Sequence, residues 1–204
     1  MEDTKLLDKY LEENQKELEH NNYYMFENAF SEEECDRIIK YYDHLVVKAN
    51  TFNVDNLNIK EQDKFRRSHI HWIYKAADNE WIYDRYTDMV FEANNNIWRF
   101  DICGMSEAFQ YTKYEGTEKG FYNAHTDWGK GYYTRKISTT LQLSDSNSYE
   151  GGNLLLYNDA TPAVCPRKRG TTILFPSSLL HEVEPITKGI RRSLVMWVSG
   201  PPFK

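Results

Sequence analysis

The 204-residue chain predicts an α+β, mainly β fold: a barrel or double-sheet jelly roll with N-terminal helices packed on one face. Two observations carry this. From about residue 107 onward, eight short β-type runs alternate with turn clusters, the texture of closed or paired antiparallel sheets. The first half instead spaces its apolar residues helically among charges. Hydrophobic residues at 40% and charged residues at 27% suit one folded domain over residues 1–204, with 1–106 as helical and mixed support and 107–200 as the β core.

The elements follow in order. Leu6, Leu7, Tyr10, Leu11 and Leu18 mark an amphipathic helix that Asn21-Asn22 ends. "YYMFENAF" reads as a short strand. In "SEEECDRIIKYYDHLV", Ser31 and Glu34 form a capping box, and Cys35, Ile38, Ile39, Tyr42 and Leu45 form the buried stripe. "TFNVDNLNIKEQDK", residues 51–64, is a polar surface loop. "RRSHIHWIYKA" is a strand. "NEWIYDRYTDMVFEANNNIW" is a further helix with Trp81, Ile82, Tyr86, Met89, Val90 and Ala93 on one side. The β runs are "AFQYTKY", "GFYNAHTD", "RKISTTLQLS", "GNLLLY", "PAVC", "GTTILFP", "LLHEVEPIT" and "RRSLVMWV", separated by turns such as "EGTEKG", "DSNSYEGG", "NDATP" and "TKG".

A net charge of -6 argues against a general phosphate-neutralising surface, so nucleic acid is not an expected partner. Arg66-Arg67 and Arg167-Lys168-Arg169 leave room for a local basic patch. No apolar run is long enough to span a bilayer, and the acidic opening stretch does not read as a secretion signal, so a cytoplasmic location is expected. Cys35, Cys103 and Cys165 form no paired pattern and read as reduced core thiols.

The chemistry centres on "NAHTDWGKG". On an extended chain, His125 and Asp127 point to the same face, and His181 in "SLLHEVEP" offers a third ligand. Two histidines and a carboxylate match the open facial triad of non-haem iron; the set permits zinc but favours Fe(II). Arg191 follows His181 by ten positions, across "PITKG" read as a hairpin turn. That places its guanidinium near the metal without touching it, where it can grip the far end of a chelated dicarboxylate. Arg192 would then alternate to the solvated face. His69 and His71 share the same spacing but read as packing or as a strand at a substrate mouth. The loop "WGKGYYTR", residues 128–135, is a candidate gate over the site.

The H-x-D pair, "YEGGNLLLY" and "GTTILFPSSLLHEVEPITKGIRRSLVMW" together resemble the Fe(II)/2-oxoglutarate dioxygenases of the prolyl 4-hydroxylase-like superfamily, over about residues 108–199. The resemblance implies a double-stranded β-helix (cupin-like) core, His125, Asp127 and His181 as iron ligands, and Arg191 on the distal carboxylate of 2-oxoglutarate. It also implies Tyr114 in the cosubstrate pocket and places Thr139 and Leu141 on a strand facing it. The implied reaction consumes 2-oxoglutarate and O2, releases succinate and CO2, and hydroxylates a C–H bond, with ascorbate as an accessory reductant. The expected substrate is a peptide or protein, prolyl residues first. A hydroxylase of a free amino acid or small metabolite, and a non-catalytic metal-binding jelly roll, are the alternatives.

Overall fold

The computed structural model describes residues 23–49, 63–129 and 131–203; the helix expected before Asn21 and most of the 51–64 loop lie outside them. In chain order the elements are β1 (Tyr24–Phe26), α1 (Glu32–Tyr42), a 3-10 turn (Asp43–Leu45), β2 (Val47–Lys48), β3 (Arg66–Arg67) and β4 (His69–Ile73). Helix α2 (Glu80–Ala93) runs into a π turn (Asn94–Trp98). Then come β5 (Phe109–Glu115), β6 (Phe121–His125), β7 (Arg135–Gln142), β8 (Tyr149–Gly151), β9 (Leu154–Leu156), β10 (Ala163–Val164), β11 (Thr172–Pro176), β12 (His181–Val183) and β13 (Ile186–Ser199).

The strands form two antiparallel sheets. The larger has the order β1-β11-β7-β13-β5-β4-β2, with β8 added along β13; the smaller is β10-β9-β12-β6-β3. Tyr114, Ile173 and Phe175 of the large sheet pack against Leu154, Leu156 and Val183 of the small one, which closes one end of the space between them. The outer face of the large sheet carries the helices. Cys35 and Ile38 of α1 and Ile82, Tyr86 and Met89 of α2 bury against Phe109, Tyr111, Leu141, Leu194 and Met196. Tyr83 and Tyr86 meet the Phe109 ring edge-on at centroid distances of 4.6 and 4.7 Å.

The capping box forms as written in the sequence: the Glu34 backbone N–H donates to Ser31 Oγ, and the Ser31 N–H donates to the Glu34 carboxylate. The same carboxylate receives Arg85 of α2 in a two-pronged contact of 2.5 and 2.7 Å, so one side chain caps α1 and ties it to α2. That guanidinium holds the Glu34 carboxyl below its ordinary range.

Several expectations change. Leu45 lies in the 3-10 turn beyond α1 and is 43% exposed, because the helical stripe ends at Tyr42. "DSNSYEGG" contains strand β8, a short polar segment that gains its partners only from β13. "PITKG" is no hairpin turn. Residues from Ile186 onward are already strand, and the chain leaves the small sheet for the large one through Glu184-Pro185. Cys103 is exposed, whereas Cys35 and Cys165 are buried.

Arg192 is not simply solvated. Its Nε and Nη2 donate to Asp43 at 2.7 and 3.2 Å, Tyr111 Oη donates to the same carboxylate at 2.9 Å, and Lys113 Nζ lies 3.5 Å away. Burial alone would raise the Asp43 pKa, but the Arg192 and Tyr111 hydrogen bonds and the neighbouring cations outweigh it and hold it low. A depressed carboxyl contributes stability above its unfolded-state range and loses it as pH falls through the folded value. Asp43→Asn should therefore cost about 2 kcal/mol at neutral pH, and the gap from wild type should narrow below about pH 4. Urea unfolding of both proteins at the two pH values checks this.

Candidate metal and carboxylate site

The site grows from the pairing of β6 with β12, which sets His125 directly opposite His181. The two imidazole centroids are 4.2 Å apart. His125 Nδ1 lies 2.7 Å from the Asn123 carbonyl, and His181 Nδ1 lies 2.9 Å from that of Leu179. A carbonyl oxygen can only accept, so each neutral ring carries its proton on Nδ1 and leaves the Nε2 lone pair free. Both Nε2 atoms turn toward Asp127: His125 Nε2 is 3.7 Å from Oδ1 and His181 Nε2 is 3.5 Å from Oδ2.

Asp127 sits just past the end of β6 and is fixed from two sides. Its backbone N–H donates to the Ser177 carbonyl at 2.9 Å, and Ser138 Oγ of β7 donates to Oδ2 at 2.7 Å. Burial opposes ionisation, yet the neighbouring imidazoles, Arg135 and Ser138 bring the Asp127 pKa down to about 2. Burial, reinforced by His181, lowers the His125 pKa to about 4. With both rings neutral, the trio offers one anion and two lone pairs. One donor atom from each residue lies within 4.8 Å of the others, the only such grouping of His, Cys, Asp or Glu found among the described residues. This donor set can hold a divalent cation on one face.

The three side chains open onto a cavity of about 840 Å³ between the sheets. Arg191, 1% exposed, lines it, and its Cα pairs in register with that of Tyr114 on β5. Its guanidinium lies 5.6 Å from the Tyr114 ring, and Nη2 donates to Gln142 Oε1 at 3.0 Å. Arg191 Nε is buried with no hydrogen-bond partner, and no carboxylate pairs with this cation among the described residues. A buried guanidinium with a neutral neighbour and an orphaned donor fits a carboxylate brought by a ligand.

Thr139 and Leu141 do not face this cavity. Leu141 is packed in the helix-side core, and Thr139 Oγ1 donates to the Met196 carbonyl. The alternation of β7 presents Ser138, Thr140 and Gln142 inward instead, one position out of phase with the expectation. His69 and His71 also face outward; His69 Nδ1 is 3.8 Å from Glu118, and His71 stacks on Tyr42 of α1.

Among the cavity residues that sequence reading missed, two stand out. Arg66, taken as surface basic charge, is 8% exposed and lines the space. Trp197 lines it too, with the Arg135 guanidinium 3.9 Å from its ring centroid. The alternation of Arg191, Ser193, Val195 and Trp197 along one strand would have identified the latter. In the 128–135 loop Tyr132 lines the cavity, Tyr133 is exposed, and Trp128 Nε1 donates to the Tyr133 carbonyl.

Residues 109–199 match the model of the 2OG-Fe(II) oxygenase superfamily. A PKHD-type hydroxylase of Shewanella oneidensis is 34% identical over 93 residues, covering 44% of this chain and 42% of the relative. The PKHD-type hydroxylase YbiX of Escherichia coli O1:K1 is 33% identical over 96 residues, with the same coverage. The chain thus spans less than half the length of the curated relatives it matches. A prolyl-4-hydroxylase of Pseudomonas putida superposes with a TM-score of 0.69 at 18% identity, over 91% of this chain and 96% of that one. A Trichoplax adhaerens prolyl hydroxylase, solved with a hypoxia inducible factor peptide fragment, gives 0.73 at 18% identity over 97% and 93%. These likenesses identify the fold as the jelly-roll core of this class of oxygenase.

Removing a group that orients a metal ligand costs about 10- to 100-fold in metal affinity. Ser138→Ala should weaken Co(II) binding by about 10-fold, whereas Thr139→Ala, pointing away, should leave it unchanged. A competitive chelator titration reads both; equal affinities for the two variants would contradict the assignment of faces.

Proposed function

We propose that this chain, whose residues 109–199 match the 2OG-Fe(II) oxygenase superfamily, is an Fe(II)- and 2-oxoglutarate-dependent dioxygenase that hydroxylates a peptidyl residue, proline first. The observation that carries the reading is a three-donor face that leaves positions open, with an unpaired buried guanidinium on the same cavity. A jelly-roll binding module has no use for the second feature. The peptidyl substrate comes from the likeness to prolyl hydroxylases, one of them solved with a peptide.

His125, Asp127 and His181 would hold the iron and Arg191 the distal carboxylate of 2-oxoglutarate. When bound, iron and 2-oxoglutarate together with O2 supply oxidative decarboxylation, to succinate and CO2, coupled to C–H hydroxylation. The chain's own contribution is positioning. The Asn123 and Leu179 carbonyls select the Nδ1–H tautomer, which leaves Nε2 of each neutral ring as the ligating atom, and Ser138 aims the carboxylate. Gln142 takes one Nη2 proton of Arg191, leaving Nε, Nη1 and the second Nη2 proton for a ligand carboxylate, with Tyr114 beside it. Phe175, Leu154 and Val183 give the cavity an apolar wall. The segment around Tyr132 closes over the substrate in this reading.

Anaerobic addition of Fe(II) and then 2-oxoglutarate should raise a weak visible charge-transfer band only when both are present, and Asp127→Ala should abolish it. Fe(II) binding without a band would leave a metal-binding jelly roll that lacks oxygenase chemistry. Arg191→Ala should weaken 2-oxoglutarate by about 100-fold, the cost of removing one partner of a buried charged pair. Unchanged affinity in a folded variant would remove Arg191 from the anchor role.

A further inference from the structure

Three arginines are less than 10% exposed: Arg66, Arg135 and Arg191. Arg135 is neutralised by Glu107, which it meets through Nε at 2.6 Å and Nη2 at 2.5 Å. The other two have no carboxylate partner among the described residues, and both line the same cavity. Burying a guanidinium without a counter-ion costs several kcal/mol, so an unpaired one persists where something other than folding uses the charge. In the reading above, 2-oxoglutarate answers Arg191. Nothing in that reading answers Arg66.

Arg66 stands on β3 of the small sheet and reaches across to the large one. Its Nε donates to Ser68 Oγ at 2.7 Å and its Nη2 to Gln110 Oε1 at 2.8 Å. Both partners are neutral, and Gln110 also accepts from Thr112. The guanidinium carbon lies 4.6 Å from the centroid of Tyr122, whose ring is also stacked on His125 at 3.6 Å. The cation is therefore fixed in orientation, next to the side of the cavity that holds the three donors. Nη1 and one Nη2 proton remain unused by the described residues. They form the edge of a guanidinium that takes a carboxylate bidentately.

We propose that Arg66 is a substrate-anion site: the molecule that this enzyme hydroxylates presents a carboxylate to its free edge. The proposal rests on the dioxygenase reading and narrows its substrate class. Charge balance points the same way. The two negative charges of 2-oxoglutarate go to the iron and Arg191, and Glu107 is committed to Arg135, so a neutral substrate would leave the Arg66 charge buried and unanswered. The carboxylate belongs either to a free small acid or to an acidic residue close to the hydroxylated one in a peptide.

The test uses full-length protein loaded with Mn(II) and saturated with 2-oxoglutarate under argon, titrated calorimetrically with matched probes. One arm pairs N-acetyl amino acids with their carboxamides. The other pairs capped tetrapeptides carrying glutamate with the same peptides carrying glutamine. The acid member of at least one arm should bind about 10-fold tighter or more, a difference of about 1.4 kcal/mol, and the arm that responds identifies the source. Arg66→Gln should bring acid and amide within about twofold of each other without changing 2-oxoglutarate affinity, while Arg66→Lys should retain much of the preference. Thermal unfolding of both variants establishes that they are folded. Equal binding of acid and amide would overturn the proposal. So would a preference that survives Arg66→Gln, or no saturable binding of any acid at millimolar concentration. Failure of 2-oxoglutarate to bind would instead sink the dioxygenase reading, and the acid preference would then be read on the Mn(II) protein alone.

Discussion

The antiparallel pairing that sets His125 of β6 opposite His181 of β12 is the constraint on which the rest depends. Strand pairing alone brings the two rings together; it does not choose their tautomers. The local chain does that, since each ring donates Nδ1–H to the carbonyl two residues before it. Such a bond needs no distant partner and survives small shifts between the sheets. Asp127 depends on longer-range structure. It lies beyond the strand and takes its place from the Ser177 carbonyl after β11 and from Ser138 on β7. Two ligands are thus fixed within the small sheet, and the third joins that sheet to the large one.

The large sheet works through its two faces. Along β13, Leu194 and Met196 enter the helix-side core while Arg191, Ser193 and Trp197 enter the cavity. Packing α1 and α2 on the outer face therefore fixes the register of every inward side chain, because a slip of one residue would exchange the two sets. The Asp43 cluster reinforces this by tying the turn after α1 to Arg192 of β13 and to Tyr111 and Lys113 of β5. The helices touch no donor of the site, yet they hold the strand that carries Arg191.

The class of fold, the capping box of Ser31 and Glu34, most of the strands from Phe109 onward and the meeting of His125, Asp127 and His181 were legible from spacing and residue type. What failed to show has physical causes. A strand with both faces buried, such as β7, has no polar-apolar alternation from which to read its phase, and so Thr139 and Leu141 were placed on the wrong face. β8 is short and polar and is a strand only because β13 runs alongside it. Gly189, at φ 73°, reads as a turn residue but lies inside one long strand, just past a register shift between Ile186 and Lys188. Arg66 was the hardest to see, since burial of a cation depends on neutral partners such as Gln110, distant in sequence.

That last case bears on what the cavity is for. A protein optimised only for stability would give Arg66 an acid, as it gives Glu107 to Arg135 and Asp43 to Arg192. Supplying one would improve folding and close the free edge of the guanidinium to any ligand. The structure instead offers Ser68 and Gln110, which satisfy geometry but not charge. The same holds at Arg191 with Gln142. A neutral acceptor orients a guanidinium while leaving its charge available, and that arrangement recurs at both cavity arginines that meet no acid among the described residues. The cavity thus retains positive charge at two fixed points, so the sites with the least internal compensation are the ones where bound anions have the most to gain.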